Sequence, residues 1–167
     1  MPRQEIIRKA KQDKRAGKSP STQAGEFVKD EIDRIRKGKH GARSTKQAIA
    51  IGLSEARRAG VDLPPPRKGR TKKATRRSAQ YAYEVGQGKR TAKRRPKVSR
   101  AVEGVLKKEP RSTASRSALS KQGKRAASRR SAASRSAAAR KASRTKGAKV
   151  RSSAAKKAAR TRARRRS

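Results

Sequence analysis

From Arg111 to Ser167 the chain carries 21 basic side chains and no acidic one, and this run limits what the sequence can fold into more than any other feature. Of its 57 residues, 16 are alanine and 12 are serine, which leaves almost nothing that can bury a core. The charge builds in steps. Residues 1–62 hold 16 basic and 8 acidic side chains, a net +8; residues 63–110 hold 16 and 3, a net +13; the last segment brings the total to +42. Self-repulsion on this scale opposes compaction and makes a polyanion the natural partner. Apolar residues are 30% of the chain and its aromatics are only Phe27, Tyr81 and Tyr83, so any core must be small.

The expected fold class is mainly α: a short helical hairpin with a possible third helix, followed by a long basic low-complexity region that is disordered when free. The hairpin spans residues 20–62. Ser21 or Thr22 is placed to cap a first helix carrying Phe27, Val28, Ile32 and Ile35 on one broad stripe. A second helix has a clearer start, with Ser44 and Gln47 in the capping-box spacing and Ala48, Ile49, Ile51, Leu53 and Ala56 supplying its inner surface. Gly60 ends it, and Val61 stands where an apolar residue closes a Schellman motif. The candidate core is Ala24, Phe27, Val28, Ile32, Ile35, Ile49, Ile51, Leu53, Ala56 and Val61.

Around the hairpin the expected divisions are a basic N-terminal arm or helix at 1–19, a proline-rich basic linker at 63–70, a basic segment with possible short helices at 71–110, and the Lys/Arg/Ala/Ser-rich tail at 111–167. Pro64, Pro65 and Pro66 stiffen the linker. Residues 71–86, with Ala74, Ser78, Tyr81, Ala82 and Val85 on related turns, are the candidate third helix. A further short helix from Ser99 through Ala101, Val102, Val105 and Leu106 is ended by Pro110. In the tail, alanine favours helix while dense positive charge and serine oppose it, so the expected state is disordered alone and partly helical against an anion.

Individual residues have plain readings beside sharper ones. Gly52, inside the second helix, is a tolerated glycine, a close-packing position, or a point of approach to a ligand. His40, between Gly38 and Gly41, reads as an exposed loop residue. Asp30, Glu31 and Asp33 read as helix-surface acids paired with Lys29, Arg34, Arg36 and Lys37. Tyr81 and Tyr83 fall on different sides of a helix, so they form no stacking platform; core or interhelix packing is the default for Tyr81.

Zero cysteine removes disulfides, thiolate metal sites and cysteine nucleophiles, and a single histidine supplies no multi-histidine site. No stretch approaches a secretory signal core or a membrane span, so a soluble, cytoplasmic protein without a membrane anchor is expected, nucleoid-associated if bacterial. No nucleophile with an acid–base partner, cofactor motif or metal site stands out, and the chain is not expected to be an enzyme.

What the sequence does supply in quantity is phosphate chemistry. Lysine and arginine neutralise phosphates and release counterions, positioning a protein on nucleic acid without reading its bases. The candidate nucleic-acid-binding side chains begin after the prolines with Arg67, Lys68, Arg70, Lys72, Lys73, Arg76 and Arg77, and continue with Lys93, Arg94 and Arg95. In the tail they are Lys124, Arg125, Arg129, Arg130, Arg135, Arg140, Lys141 and Arg144, then Lys156, Lys157, Arg160, Arg162, Arg164, Arg165 and Arg166.

The tail phrases RAASRRSAASRSAAARKAS and SSAAKKAARTRARRRS, including Lys124–Ala127 and Ala137–Ala142, resemble the basic tails of linker-histone-like proteins, bacterial nucleoid-associated ones among them. This tail differs in using much arginine and in lacking repeated lysine–alanine–proline phrases. The segment RSTKQAIAIGLSEARRAGVDLP, Arg43–Pro64, is similar to one in small uncharacterised basic bacterial proteins. The tail resemblance implies non-specific DNA condensation and bridging. The expected function is therefore largely sequence-independent binding of DNA through phosphate neutralisation, with a structural or regulatory RNA-binding, ribosome-associated role as the alternative.

Overall fold

Small residues, rather than bulky aliphatics, line the contact between the second and third helices. The computed structural model describes residues 3–93 and 95–164, and the chain divides into two compact units, Met1–Gln122 and Gly123–Ser167. In the first unit α1 (Gln4–Arg15) packs on α2 (Pro20–Arg36), α2 on α3 (Thr45–Arg58), and α3 on α4 (Lys73–Gly86). On α3 the buried residues include Ala48, Gly52 and Ala56, one turn apart, while Ile49, Ile51 and Leu53 are half-buried. A Cβ on Gly52 would lie 2.7 Å from the Val28 Cα and 2.9 Å from its nitrogen. Of the readings available for Gly52, close packing is the one realised: its missing side chain lets the α2 backbone touch α3.

Two small cores result. Phe27, Ala24, Ala56 and Val61 pack with Ile6 and Ala10 of α1, flanked by Leu53 and Leu63. Ile35 packs with Ala42, Ala48 and Ala114. Burying one large side chain such as Phe27 contributes about 2–3 kcal/mol, so cores this size leave little surplus. The caps of α3 follow from its sequence. Ser44 Oγ accepts from the Gln47 N–H at 3.2 Å, the Gln47 side chain accepts from the Arg43 N–H at 2.8 Å, and after Gly60, with φ +86°, the Val61 N–H returns to the Ala56 carbonyl at 3.1 Å. α2 starts earlier than expected. It begins at Pro20 behind Ser19, because proline at the first helical position needs no N–H partner; Ser21 and Thr22 already lie within the helix.

The expected short hairpin followed by a disordered region is corrected by the chain beyond it. Helix α5 (Pro96–Lys108), a 3-10 turn at Ser112–Ala114, α6 (Arg116–Ser128) and α7 (Ala132–Ala163) follow, and no strand occurs among the described residues. Ala114 is fully buried in the second core, held there by Thr45 Oγ1 donating to the Thr113 carbonyl at 2.7 Å and Arg36 Nε donating to the Ala114 carbonyl at 2.9 Å. Past that point helix is local in origin. Alanine, arginine and lysine are all strong helix formers, and no proline follows Pro110. Serines close the helix starts: Ser115 Oγ accepts from the Ala118 N–H, and Ser131 Oγ from the Ser134 N–H, each at 3.2 Å. Charge on long side chains at the helix surface does not override these backbone preferences. α7 is interrupted once, at Gly147, whose φ of +59° is non-helical.

Candidate nucleic-acid interface

In the first unit the basic residues gather where α4 has not yet met α3. Arg57, itself buried, donates through Nε to the Leu63 carbonyl at 3.0 Å and so pins the chain entering the prolines; burial lowers its pKa. Arg67, Lys68 and Arg70 follow on an exposed turn in which the Arg70 N–H bonds the Arg67 carbonyl at 3.2 Å. Lys72 is the residue before α4. Lys73, Arg76 and Arg77 sit at i, i+3 and i+4, sharing one exposed face, and burial begins only at Ala79 and Ala82. The first half of α4 is thus a cationic projection of the unit, with no acidic residue in its first turn.

Further along, Lys93 and Arg95 are exposed, and Arg94 lies outside the described residues. Arg95 borders a shallow depression of about 460 Å³ together with Pro96, Lys97, Val98 and Arg100. Lys97 and Arg100 are additions to the sequence-derived set; the signal for them was proximity to Arg95 at the start of an amphipathic helix.

The second unit is different in kind. It contains 18 basic side chains and no acidic one, and none of its described residues is buried. Lys124 and Arg125 are exposed on α6, Arg129 and Arg130 lie between α6 and α7, and the Arg130 guanidinium donates to the Ser134 hydroxyl at 3.2 Å and carbonyl at 3.4 Å. Arg135, Arg140, Lys141 and Arg144 are exposed on the first half of α7, where Ala137, Arg140, Lys141 and Arg144 line a depression of about 400 Å³. Lys156, Lys157, Arg160 and Arg162 are exposed on its second half; Arg162 Nε donates to the Ala158 carbonyl at 3.3 Å, and Arg164 follows the helix. Arg165 and Arg166 lie outside the described residues. Like charges at i, i+4, such as Arg140 with Arg144 and Lys156 with Arg160, destabilise a helix by about 0.2–0.5 kcal/mol per pair. An anion laid between them relieves that repulsion.

Two of the three aromatic rings are engaged within the protein, and the third is tied through its hydroxyl. Phe27 is buried. The Tyr83 hydroxyl donates to Asp62 Oδ1 at 2.7 Å, which raises the tyrosine's pKa. The Tyr81 hydroxyl accepts from the Lys93 N–H at 3.0 Å, and the Arg90 guanidinium covers its ring at 5.4 Å from the centroid.

A polar cluster in the first unit departs from its surface reading. Glu31 is fully buried, between Phe27 and Ile35 on the same stripe of α2. Arg34 bridges it to Glu55, at 3.3 and 3.5 Å, and His40 Nε2 lies 3.5 Å from its Oε1. His40 is accordingly packed rather than loop-exposed, its side chain only 10% accessible. The spacing Phe27–Glu31–Ile35 was the signal, since it places the acid on the apolar face. Among the described residues no cluster of histidine and acidic side chains is arranged to hold a metal ion, and no helix is long and apolar enough to cross a membrane.

Residues 11–68 match the model of a family of unknown function (DUF6496). The match takes in α2, α3 and the prolines and stops before the cationic half of α4. No curated protein and no solved structure matches the chain.

Proposed function

We propose that this chain is a non-enzymatic, nucleoid-associated protein that binds duplex DNA largely without regard to sequence and condenses it. The reading rests on the second unit: 18 cations with no acidic counter-charge, and no buried residue among those described. Such a unit has no internal means of neutralising itself, and a regular array of phosphates is the polyanion whose spacing lets many helix-borne cations pair at once. The acid-free tail also gives the reading its likeness to linker-histone-like proteins. Duplex is favoured over single strands because a stacking platform needs several free aromatic faces, and here Phe27 is buried and the Arg90 guanidinium covers the Tyr81 ring, which leaves Tyr83 alone. Arginine and lysine then contact phosphate, while base identity contributes little.

The deciding measurement is a salt titration of the full chain against duplex DNA, single-stranded DNA and structured RNA of equal length. Duplex binding at least as tight as RNA binding, with log K falling by about 0.9 per phosphate neutralised against log salt, supports the proposal. Much tighter RNA binding overturns it in favour of a ribosome-associated role.

A further inference from the structure

Beyond the interruption at Gly147, helix α7 carries its cations in rows. At about 100° per residue, Lys156 and Arg160 fall on one flank of residues 148–163, and Arg151 and Arg162 on a second flank about 150° away. Both arginines lie back along the helix: Arg151 Nε donates to the Gly147 carbonyl at 3.2 Å and Arg162 Nε to the Ala158 carbonyl at 3.3 Å, which keeps the second row in line. On the shorter arc between the rows stand Ala148, Ser152, Ala155, Ala159 and Ala163. The longer arc is bulkier, with Lys157, Thr161 and Val150, the last more than half exposed. The four cations and all five residues of the short arc are exposed, so the protein's own core uses none of them.

We infer that residues 148–163 lie lengthwise in the major groove of B-form DNA, with the short arc against the base edges and one cation row against each phosphate backbone. The inference rests on duplex DNA being the ligand and adds the groove that receives the helix. A single row of cations suits a helix laid on one strand or on a flat anionic surface. Two rows on opposite flanks suit a ligand with phosphates on both sides of the helix at once. The major groove is about 12 Å wide and a helix with its side chains about 10–12 Å across, so the inward face must be short for both rows to reach their backbones. Alanine and serine meet that requirement and offer no bidentate base contact, in keeping with binding that ignores sequence. The minor groove, about 6 Å wide, does not admit a helix. The major groove of A-form RNA is too deep and narrow to receive one, so the same arrangement discriminates against duplex RNA.

The test uses the full chain and leaves every charge in place. Ser152→Leu combined with Ala159→Leu thickens the short arc, and Ala154→Leu combined with Thr161→Leu makes comparable additions at the same spacing on the opposite face. Leucine is a strong helix former, and circular dichroism of each variant monitors the helix. In duplex titrations at about 0.15 M salt, which screens diffuse attraction, the first pair is expected to bind about tenfold more weakly than the parent and the second within about twofold of it. A second arm leaves the protein unaltered, and so decides even where a variant loses helix. A duplex whose cytosines carry a glucosyl group through a C5 hydroxymethyl, which fills the major groove, is expected to bind the parent about tenfold more weakly than plain duplex of the same sequence. Equal losses from the two pairs, equal binding of the two duplexes, or duplex RNA bound as tightly as plain DNA overturns the groove assignment. The parent's affinity for plain duplex tests the DNA proposal separately, and its absence overturns both.

Discussion

His40 Nε2 stands 3.5 Å from Oε1 of Glu31, a fully buried carboxylate oxygen that makes no hydrogen bond. On the other side of the ring, Nδ1 lies 2.9 Å from the Gly41 carbonyl, which can only accept, so Nδ1 carries a hydrogen. The pair fastens the loop after α2 to the helix itself. That loop receives α5 through Gly41 and the 3-10 turn through Ala42, whose carbonyl accepts from Thr113 Oγ1 at 3.0 Å.

Burial raises the pKa of Glu31, reinforced by Glu55 and Asp30 and opposed by His40 and Arg34. A carboxyl that holds its proton to higher pH when folded contributes stability in full below its unfolded pKa, and that contribution falls as pH rises through the folded value. Glu31→Gln does not titrate. The variant is expected to show a flatter fall in Tm than the parent as pH rises above about 4, the ordinary glutamate value; parallel profiles would contradict this account.

Removing His40 leaves the Glu31 carboxylate with Arg34 as its remaining partner. His40→Ala is expected to cost about 1–3 kcal/mol at neutral pH, the range for a buried polar group left without its neighbour. Adding Glu31→Gln in the same background should recover part of the loss, because the amide needs no counter-charge. Urea unfolding of the four proteins in the cycle measures the coupling, and strict additivity would refute it.

Two glycines in neighbouring helices should respond oppositely to alanine. Gly25, on α2, has open space where a methyl group would stand, with no atom within 4 Å, so Gly25→Ala gains helix propensity of about 0.5–1 kcal/mol. Gly52→Ala meets the Val28 backbone and is expected to lose about 1–3 kcal/mol despite the same propensity gain. Thermal melts that move in the same direction would show that α2 and α3 are not in close contact.

Neutralising Arg140, Arg144, Lys156 and Arg160 together with glutamine tests α7 as the phosphate-binding element. If each of the four neutralises one phosphate, the slope of log K against log salt for duplex DNA should shrink by up to about 3.6, at about 0.9 per contact, with helical circular dichroism retained. An unchanged slope would remove α7 from the interface.

Much of the first unit could be read from residue order because its signals are local. Ser44 with Gln47 and Gly60 with Val61 set the ends of α3 through side-chain and backbone bonds formed within a few residues. Glu31 was harder to place. Its charge gives it a surface reading although its spacing from Phe27 and Ile35 puts it on the apolar face; its partner His40 is nine residues away across a loop, and only the folded chain brings the two together. Ala114 was hidden for a similar reason: it is one small residue at the edge of a low-complexity run, buried because Thr45 and Arg36 reach it from far up the sequence. In the tail, net charge points to disorder and alanine content points to helix, and the second signal prevails. Repulsion between long, solvated side chains is a weaker local force than the backbone preferences it opposes. The basic positions themselves were visible, and their described members are exposed.

Gly147 divides α7 into two stiff levers, each roughly 23 Å long at 1.5 Å per residue and so shorter than one turn of duplex. The cations of α7 belong to the levers, and the joint itself is uncharged. The angle of the joint and the charge of the helix are therefore governed by different residues, so curvature can be retuned at a single glycine while every cation stays in place.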